Sequence, residues 1–298
     1  MHAILGYSAS DLADTSSPSS QDSSLVTAAM THRLKAIKAI KKTLEEITDK
    51  RGEMVEEGNA LMATCFALTY QSVLLDDGMV EYMTFIRGIV IVAIQMYVGG
   101  QRERSKMLFG EFIGPEKSQR RLEPFMREVG LIKREWVDSA MESINRLEGL
   151  LLTQEKEVER EYWGFLKKMG ECLYTSSWKA YIAMTEHYGW WMMLSHERFQ
   201  RVIEPGNQLG VLLATHWISL KQIMSVITET EEKASGDHDK GKGQSQKKEG
   251  GNDISLGIIR WLKYLNGLVD DEHRRYNRWP EWVEGQLDLD RGFFGRTH

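Results

Sequence analysis

Helical periodicity dominates this 298-residue chain, and no stretch reads as a clean strand with apolar and polar residues alternating in twos. That spacing sets an all-α fold class as the expectation. The segment "EEGNALMATCFALTYQSVLLDDG" is apolar nearly all round, which marks a central helix rather than a surface one. Gly78 separates it from a second buried helix ending at Gly99 and Gly100. Upstream, a helix from about Leu25 to Ile47 sets Leu34, Ile37, Leu44 and Ile47 against Lys35, Lys38, Lys41 and Lys42, with Gly52 as its stop. Downstream, Trp136 to Val202 reads as helix. "PGNQLGVLLATHWISLKQIMSVI" then places Leu209, Leu212, Leu213, Leu220, Ile223, Met224 and Ile227 in helical register, with Pro205 at its start. A last helix pair closes the chain. The expectation is a single large helical domain, residues 1–298, of about ten helices.

Two stretches interrupt it. Residues 15–24 form a Ser-rich loop, and residues 229–253 are charged and Gly-rich with almost no apolar side chains. Such an insertion buries too little surface to offset the entropy of ordering and is expected to be flexible. The hydrophobic fraction of 42% is that of a globular chain. A net charge of −5 gives no basic excess for gripping phosphate backbones. Cys65 and Cys172 are too few for a disulfide framework or a cysteine-rich zinc site, and their apolar surroundings predict buried, reduced thiols. No charged start precedes an apolar stretch, so no secretory signal is expected. The most apolar window, "MTFIRGIVIVAIQMYVGG", carries Arg87 and is short for a bilayer, so no membrane span is expected.

The segments "MHAILGYSASDLA", "HRLKAIKAIKKTL" and "LMATCFALTYQSVLLDDGMVEYMTFIRG" together resemble the regulatory region of fungal binuclear zinc-cluster transcription factors, in particular the sterol-regulator-like group. "RFQRVIEPGNQLGVLLATHWISL" and "WLKYLNGLVDDEHRRYNRWPEWVEGQLD" are similar to later parts of the same region. The likeness spreads over most of the chain and rests on apolar patterns rather than on an invariant catalytic signature. It implies transcription regulation in the nucleus, the cytoplasm being the other compartment open to such a chain. It also implies a hydrophobic small-molecule ligand, and a second copy of the chain or other transcription proteins as partners. The family's six-cysteine DNA-binding module has no counterpart here, since two cysteines cannot bridge two zinc ions. Direct DNA binding by this chain is therefore not expected. The chain is read either as a fragment or as a natural stand-alone form.

Several clusters bear on function. Phe66, Tyr70, Met96, Tyr97, Trp190, Trp191, Met193 and Trp217 are large, polarizable side chains of the kind that line pockets for flat apolar ligands. The simpler reading is that they fill a helical core. Asp76, Asp77 and Glu81, with Asp270, Asp271, Arg275 and Tyr276, bear a loose likeness to the metal–diphosphate chemistry of all-α terpene cyclases. A helical cyclase or isomerase is thus one alternative and a purely structural interaction module another. The spacing is wrong for the cyclase, and the pairs Asp270–Arg274 and Asp271–Arg275 read as ordinary i,i+4 contacts. His187, His196 and His216 lie in apolar surroundings and read as lone core histidines. Trp279–Trp282 reads as a C-terminal clamp in which Pro280 stops or kinks a helix. No catalytic residue, metal ligand or cofactor site is assigned.

Overall fold

The computed structural model describes residues 1–15, 23–47, 54–98, 115–152, 154–236 and 251–295. Among them are thirteen α-helices and no strand, so the all-α class holds and the helices outnumber the expected ten by three. The chain gathers into two compact units, Met1–Lys117 and Ser118–His298.

Unit 1 comprises α1 (His2–Thr15), α2 (Ser23–Ile47), α3 (Met54–Val73) and α4 (Met79–Val98). Parts of the expected Ser-rich loop are helical at both ends, and 16–22 lie outside the described residues, as do Gly52, Gly99 and Gly100. Helix α1 packs through small side chains. Ala3, Gly6, Ser10 and Ala13 are its buried positions, one or two turns apart. A Cβ on Gly6 would sit 3.3 Å from the Ala29 carbonyl oxygen, so the absence of a side chain there lets α1 lie close against α2. Between α3 and α4, Leu61, Met62 and Cys65 interlock with Ile89, Val92, Ala93 and Met96. The turn joining these helices is tight enough that a Cβ on Gly78 would collide with the Ser72 carbonyl.

A charge sits inside this unit. Arg33 of α2 is 1% exposed and donates from Nη1 to Gln71 Oε1 at 3.0 Å and from Nη2 to Ser72 Oγ at 2.9 Å. It also pairs with Glu81 of α4, and Gln71 Nε2 in turn donates to Ser10 Oγ of α1 at 3.0 Å. All four helices thus contribute to one polar network. The outer surface is the reverse: Ile4, Leu5 and Leu12 of α1, and Val26, Met30 and Leu34 of α2, face solvent. Helix α4, read from sequence as buried, also leaves Ile91 and Ile94 exposed. Its Met79–Met96 window has a mean hydropathy of 1.5 and is one third buried; by length and composition it could cross a membrane.

Unit 2 holds most of α5 (Pro115–Glu128), then α6 (Arg134–Arg146), α7 (Glu157–Leu173), α8 (Ser177–Met193) and α9 (His196–Ile203). It continues with α10 (Gln208–Ile223), α11 (Ser225–Gly236), α12 (Gly251–Leu268) and α13 (Arg278–Leu289). Its axis is α10, buried at every position from Leu209 to Leu220 and packed by α6, α7, α9, α12 and α13. The expected start at Pro205 is corrected: Pro205 lies in the preceding turn, and Asn207 caps the helix, its Oδ1 accepting from Gly210 N at 3.2 Å. Asn207 Nδ2 also donates to Glu159 of α7 at 2.9 Å and to the Arg201 carbonyl of α9 at 3.0 Å. Pro280 does not stop a helix but sits in the first turn of α13, where its missing N–H removes no helical bond. The insertion is shorter at its start than expected, because α11 continues to Gly236, and residues 237–250 lie outside the described residues. Both cysteines are free, but only Cys65 is buried, Cys172 being partly exposed.

Candidate functional site

Aromatic residues of α7, α8 and α10 converge on one histidine. His187 lies on the inner face of α8, a helix whose start is fixed by the Ser176 side chain accepting from Lys179 N at 3.3 Å. Its imidazole is fully buried, with Tyr162 stacked at 4.8 Å between ring centroids. Trp217 of α10 lies at 5.6 Å, Trp190 at 5.8 Å and Phe165 at 5.9 Å. Tyr162 and Phe165 come from α7, three residues apart and so on one face. Tyr188 closes the far side against Trp217 at 5.9 Å, and Trp191 stacks on Phe199 at 6.5 Å.

Polar groups inside this shell divide into two kinds. The outer ones are tied down. Trp190 Nε1 donates to Glu161 at 2.7 Å, Arg198 holds the other oxygen of that carboxylate at 2.6 Å, and Tyr181 Oη donates to Glu231 of α11 at 2.7 Å. The inner ones are not. Both ring nitrogens of His187, the hydroxyl of Tyr162 and Nε1 of Trp217 are buried without a hydrogen-bond partner among the described residues. Each such group costs about 1–3 kcal/mol, so a cluster of four atoms is a large local debt for a packing core to carry. Burial also drives the His187 pKa down to about 3, keeping the ring neutral with one donor and one acceptor nitrogen. The Tyr162 phenol is pushed upward by the same burial, with the neighbouring Tyr188 adding to it, and stays protonated.

The eight residues singled out from sequence divide between the units. Trp190, Trp191 and Trp217 belong to the aromatic shell, whereas Met193 is 65% exposed at the end of α8. In unit 1, Met96 packs over Gly58, where a Cβ would collide with its sulfur, and Phe66 is half-buried against the same core. Tyr70 points outward, its ring 6.2 Å from Tyr7, and the side chain of Tyr97 lies outside the described residues. Tyr162, Phe165 and the central role of His187 were not recognised in the sequence. The spacing of Tyr162 and Phe165 was visible, but nothing local shows that α7 turns them toward α8.

His216 is the second buried histidine. Its Nδ1 bonds the Leu212 carbonyl at 2.7 Å, so Nε2 accepts from Ser143 Oγ at 2.8 Å. A serine hydroxyl on an imidazole is half of a nucleophile–base pair, yet both residues are buried and the second nitrogen is held by the helix's own backbone. The pair ties α6 to α10. His196, by contrast, is exposed at the start of α9, which corrects its assignment to apolar surroundings. Trp279 packs inward, 5.7 Å from His216, while Trp282 lies outside against Phe294 at 6.0 Å.

The acidic residues take local roles. Asp76 and Asp77 are exposed in the α3–α4 turn. Asp270 accepts from the backbone N of His273 at 2.9 Å and pairs with its ring at 2.8 Å, which lowers the carboxyl pKa, and Arg275 lies over Tyr276. Among the described residues no three His, Cys, Asp or Glu side chains gather as a metal site requires. Neither a family model, nor a curated protein, nor a solved structure matches the chain.

Proposed function

We propose that this chain is a regulatory domain of the zinc-cluster transcription-factor type, controlled by an apolar metabolite that lodges against α7, α8 and α10. The observation that supports this is the set of four unpartnered polar atoms inside the aromatic shell of unit 2. Large flat rings give such a molecule contact area, and the neutral His187 with Tyr162 gives its uncharged polar end a donor and an acceptor. Occupancy favours one arrangement of α8 and α11, linked by Tyr181 and Glu231, and so alters a surface for a second copy or another transcription protein. The ligand shifts that balance only through its difference in affinity between the two arrangements. In this reading α4 is a packing helix, the chain acts in the nucleus, and DNA is reached through a partner.

The test is native mass spectrometry of the purified protein followed by organic extraction. The expected result is an apolar molecule that co-purifies with the wild type and is lost from His187→Phe. The second arm tethers the chain to an unrelated DNA-binding module. A reporter that follows the extracted molecule in the wild type and ignores it in the variant supports regulation. An empty wild-type protein sinks the reading.

A further inference from the structure

The outer side of α2 joins two kinds of side chain in one row. Val26, Met30, Leu34 and Lys38 follow one another at four-residue steps and so line one side of the helix over about 18 Å. The three apolar members are 44%, 41% and 57% exposed, whereas Ala29, Arg33 and Ala36 on the inner side are buried in unit 1. Lys35 and Lys41, both exposed, stand one turn before and one turn after Lys38 and widen the basic end of the row.

That positive charge is not cancelled locally. From Ser23 to Leu44 the helix contains neither aspartate nor glutamate. Arg33 turns inward to Glu81, and Lys42 and Glu45 have partners of their own. Lys35, Lys38 and Lys41 remain, and they pair with no carboxylate among the described residues. The unit's other described carboxylates belong to α1, the first turn of α3, the α3–α4 turn and Glu81.

An apolar row that ends in unpaired cations fits a layered partner, apolar below and anionic above. A bilayer leaflet containing acidic lipid is built that way: aliphatic side chains enter the acyl boundary while lysine stems reach back to the headgroups. The free cations are all lysines, point charges on flexible stems that suit a diffuse anionic layer. Protein interfaces, by contrast, are depleted in lysine and enriched in arginine. A second copy of the chain would find only three apolar side chains in this row, far from the roughly 800 Å² per partner of a stable interface.

We infer that unit 1 docks through the outer side of α2 on a membrane surface rich in anionic lipid. Val26, Met30 and Leu34 enter the interface, and Lys35, Lys38 and Lys41 lie among the headgroups. The contact is peripheral, because the inner side of α2 stays on its neighbouring helices and Arg33 stays in the polar network.

The probes are vesicles of phosphatidylcholine, and vesicles in which about one third of it is replaced by phosphatidylserine, floated with the full chain. The serine-containing vesicles are expected to bind the chain about a hundredfold better, at about fivefold per lysine. Most of that preference should vanish as salt rises from about 0.1 M to about 0.5 M. The triple variant Lys35→Gln, Lys38→Gln, Lys41→Gln should lose the preference, and the matching arginine triple should keep it. Met30→Gln with Leu34→Gln should weaken binding about tenfold and leave its salt dependence intact. All of these positions are exposed, so far-UV circular dichroism should not change. His187→Phe should float like the wild type, which separates this surface from the aromatic shell. Equal binding to both vesicle types, binding to neither, or a glutamine triple that floats like the wild type overturns the assignment. So does a wild-type dimer that Met30→Gln with Leu34→Gln converts to monomer, since the row then belongs to a second copy.

Discussion

Arg33 and His187 show how differently a single buried polar residue can be treated. The Arg33 guanidinium is paired with Glu81 and surrounded by neutral acceptors, so its two partners contribute unequally to stability. Glu81→Gln leaves the cation buried without a counter-charge and is expected to cost about 3 kcal/mol. Arg33→Met removes the cation altogether and is expected to cost about 1 kcal/mol, the share of the orphaned Gln71 oxygen. Urea denaturation of the two variants checks the order. His187 and His216 instead answer to pH. Burial lowers their pKa values to about 3 and about 4, below the ordinary 6.5. The unfolded chain therefore binds protons that the folded chain refuses. The contribution is complete above pH 6.5 and declines as pH falls toward the folded values, by about 1.4 kcal/mol per pH unit for each histidine. Urea midpoints should drop between pH 7 and pH 5, and His187→Phe should remove one histidine's share of that slope.

At the level of helices, what could be read from the sequence was the inside of each one, and what could not was its orientation. The periodicity of Leu209, Leu212, Leu213 and Leu220 announces α10, and its burial on every side follows from the lack of charge between them. Helix α1 defeats the same logic. Its large residues Ile4, Leu5 and Leu12 face solvent, and the packing face is the small one, because Gly6 and Ala3 allow a closer backbone approach than leucine would. The aromatic shell was half visible: the "YGWWMM" run stands out, whereas Tyr162 and Phe165 acquire meaning only through the packing of α7 on α8. Caps were missed for a similar reason, since Pro205 was the louder signal and Asn207 does the work. Two glycines test the close approaches. Gly78→Ala drives a Cβ into the rigid Ser72 carbonyl and is expected to cost about 1–3 kcal/mol. Gly58→Ala meets only the flexible end of Met96 and should cost less than half of that, by thermal denaturation.

Across the whole chain, the two units distribute their apolar residues in opposite ways. Unit 2 surrounds α10 with bulky side chains and carries most of its charges outside, the buried Glu159 paired with Arg201 being the exception. Unit 1 keeps a polar network within and shows aliphatic side chains without. Exposed stripes of that kind bind hydrophobic dyes and promote association. The triple variant Ile4→Gln, Leu12→Gln, Leu34→Gln should lower dye fluorescence and raise the aggregation threshold on light scattering. Its unfolding free energy should stay within about 1.5 kcal/mol of wild type, at about 0.5 kcal/mol or less for each site, since none of the three is buried.

The same network governs how unit 1 comes together. Docking α2 on α3 without α4 strips the Arg33 guanidinium of water while its neutralising acid is still elsewhere, so that partial assembly gains little. Ser10, Arg33, Gln71 and Glu81 arrive from four different stretches, and the reward comes only when the last of them docks. Helices α1–α4 are therefore expected to unfold in one cooperative transition, coincident by circular dichroism and fluorescence, and a nick in α2 or α4, which carry the two charges, should broaden or abolish it.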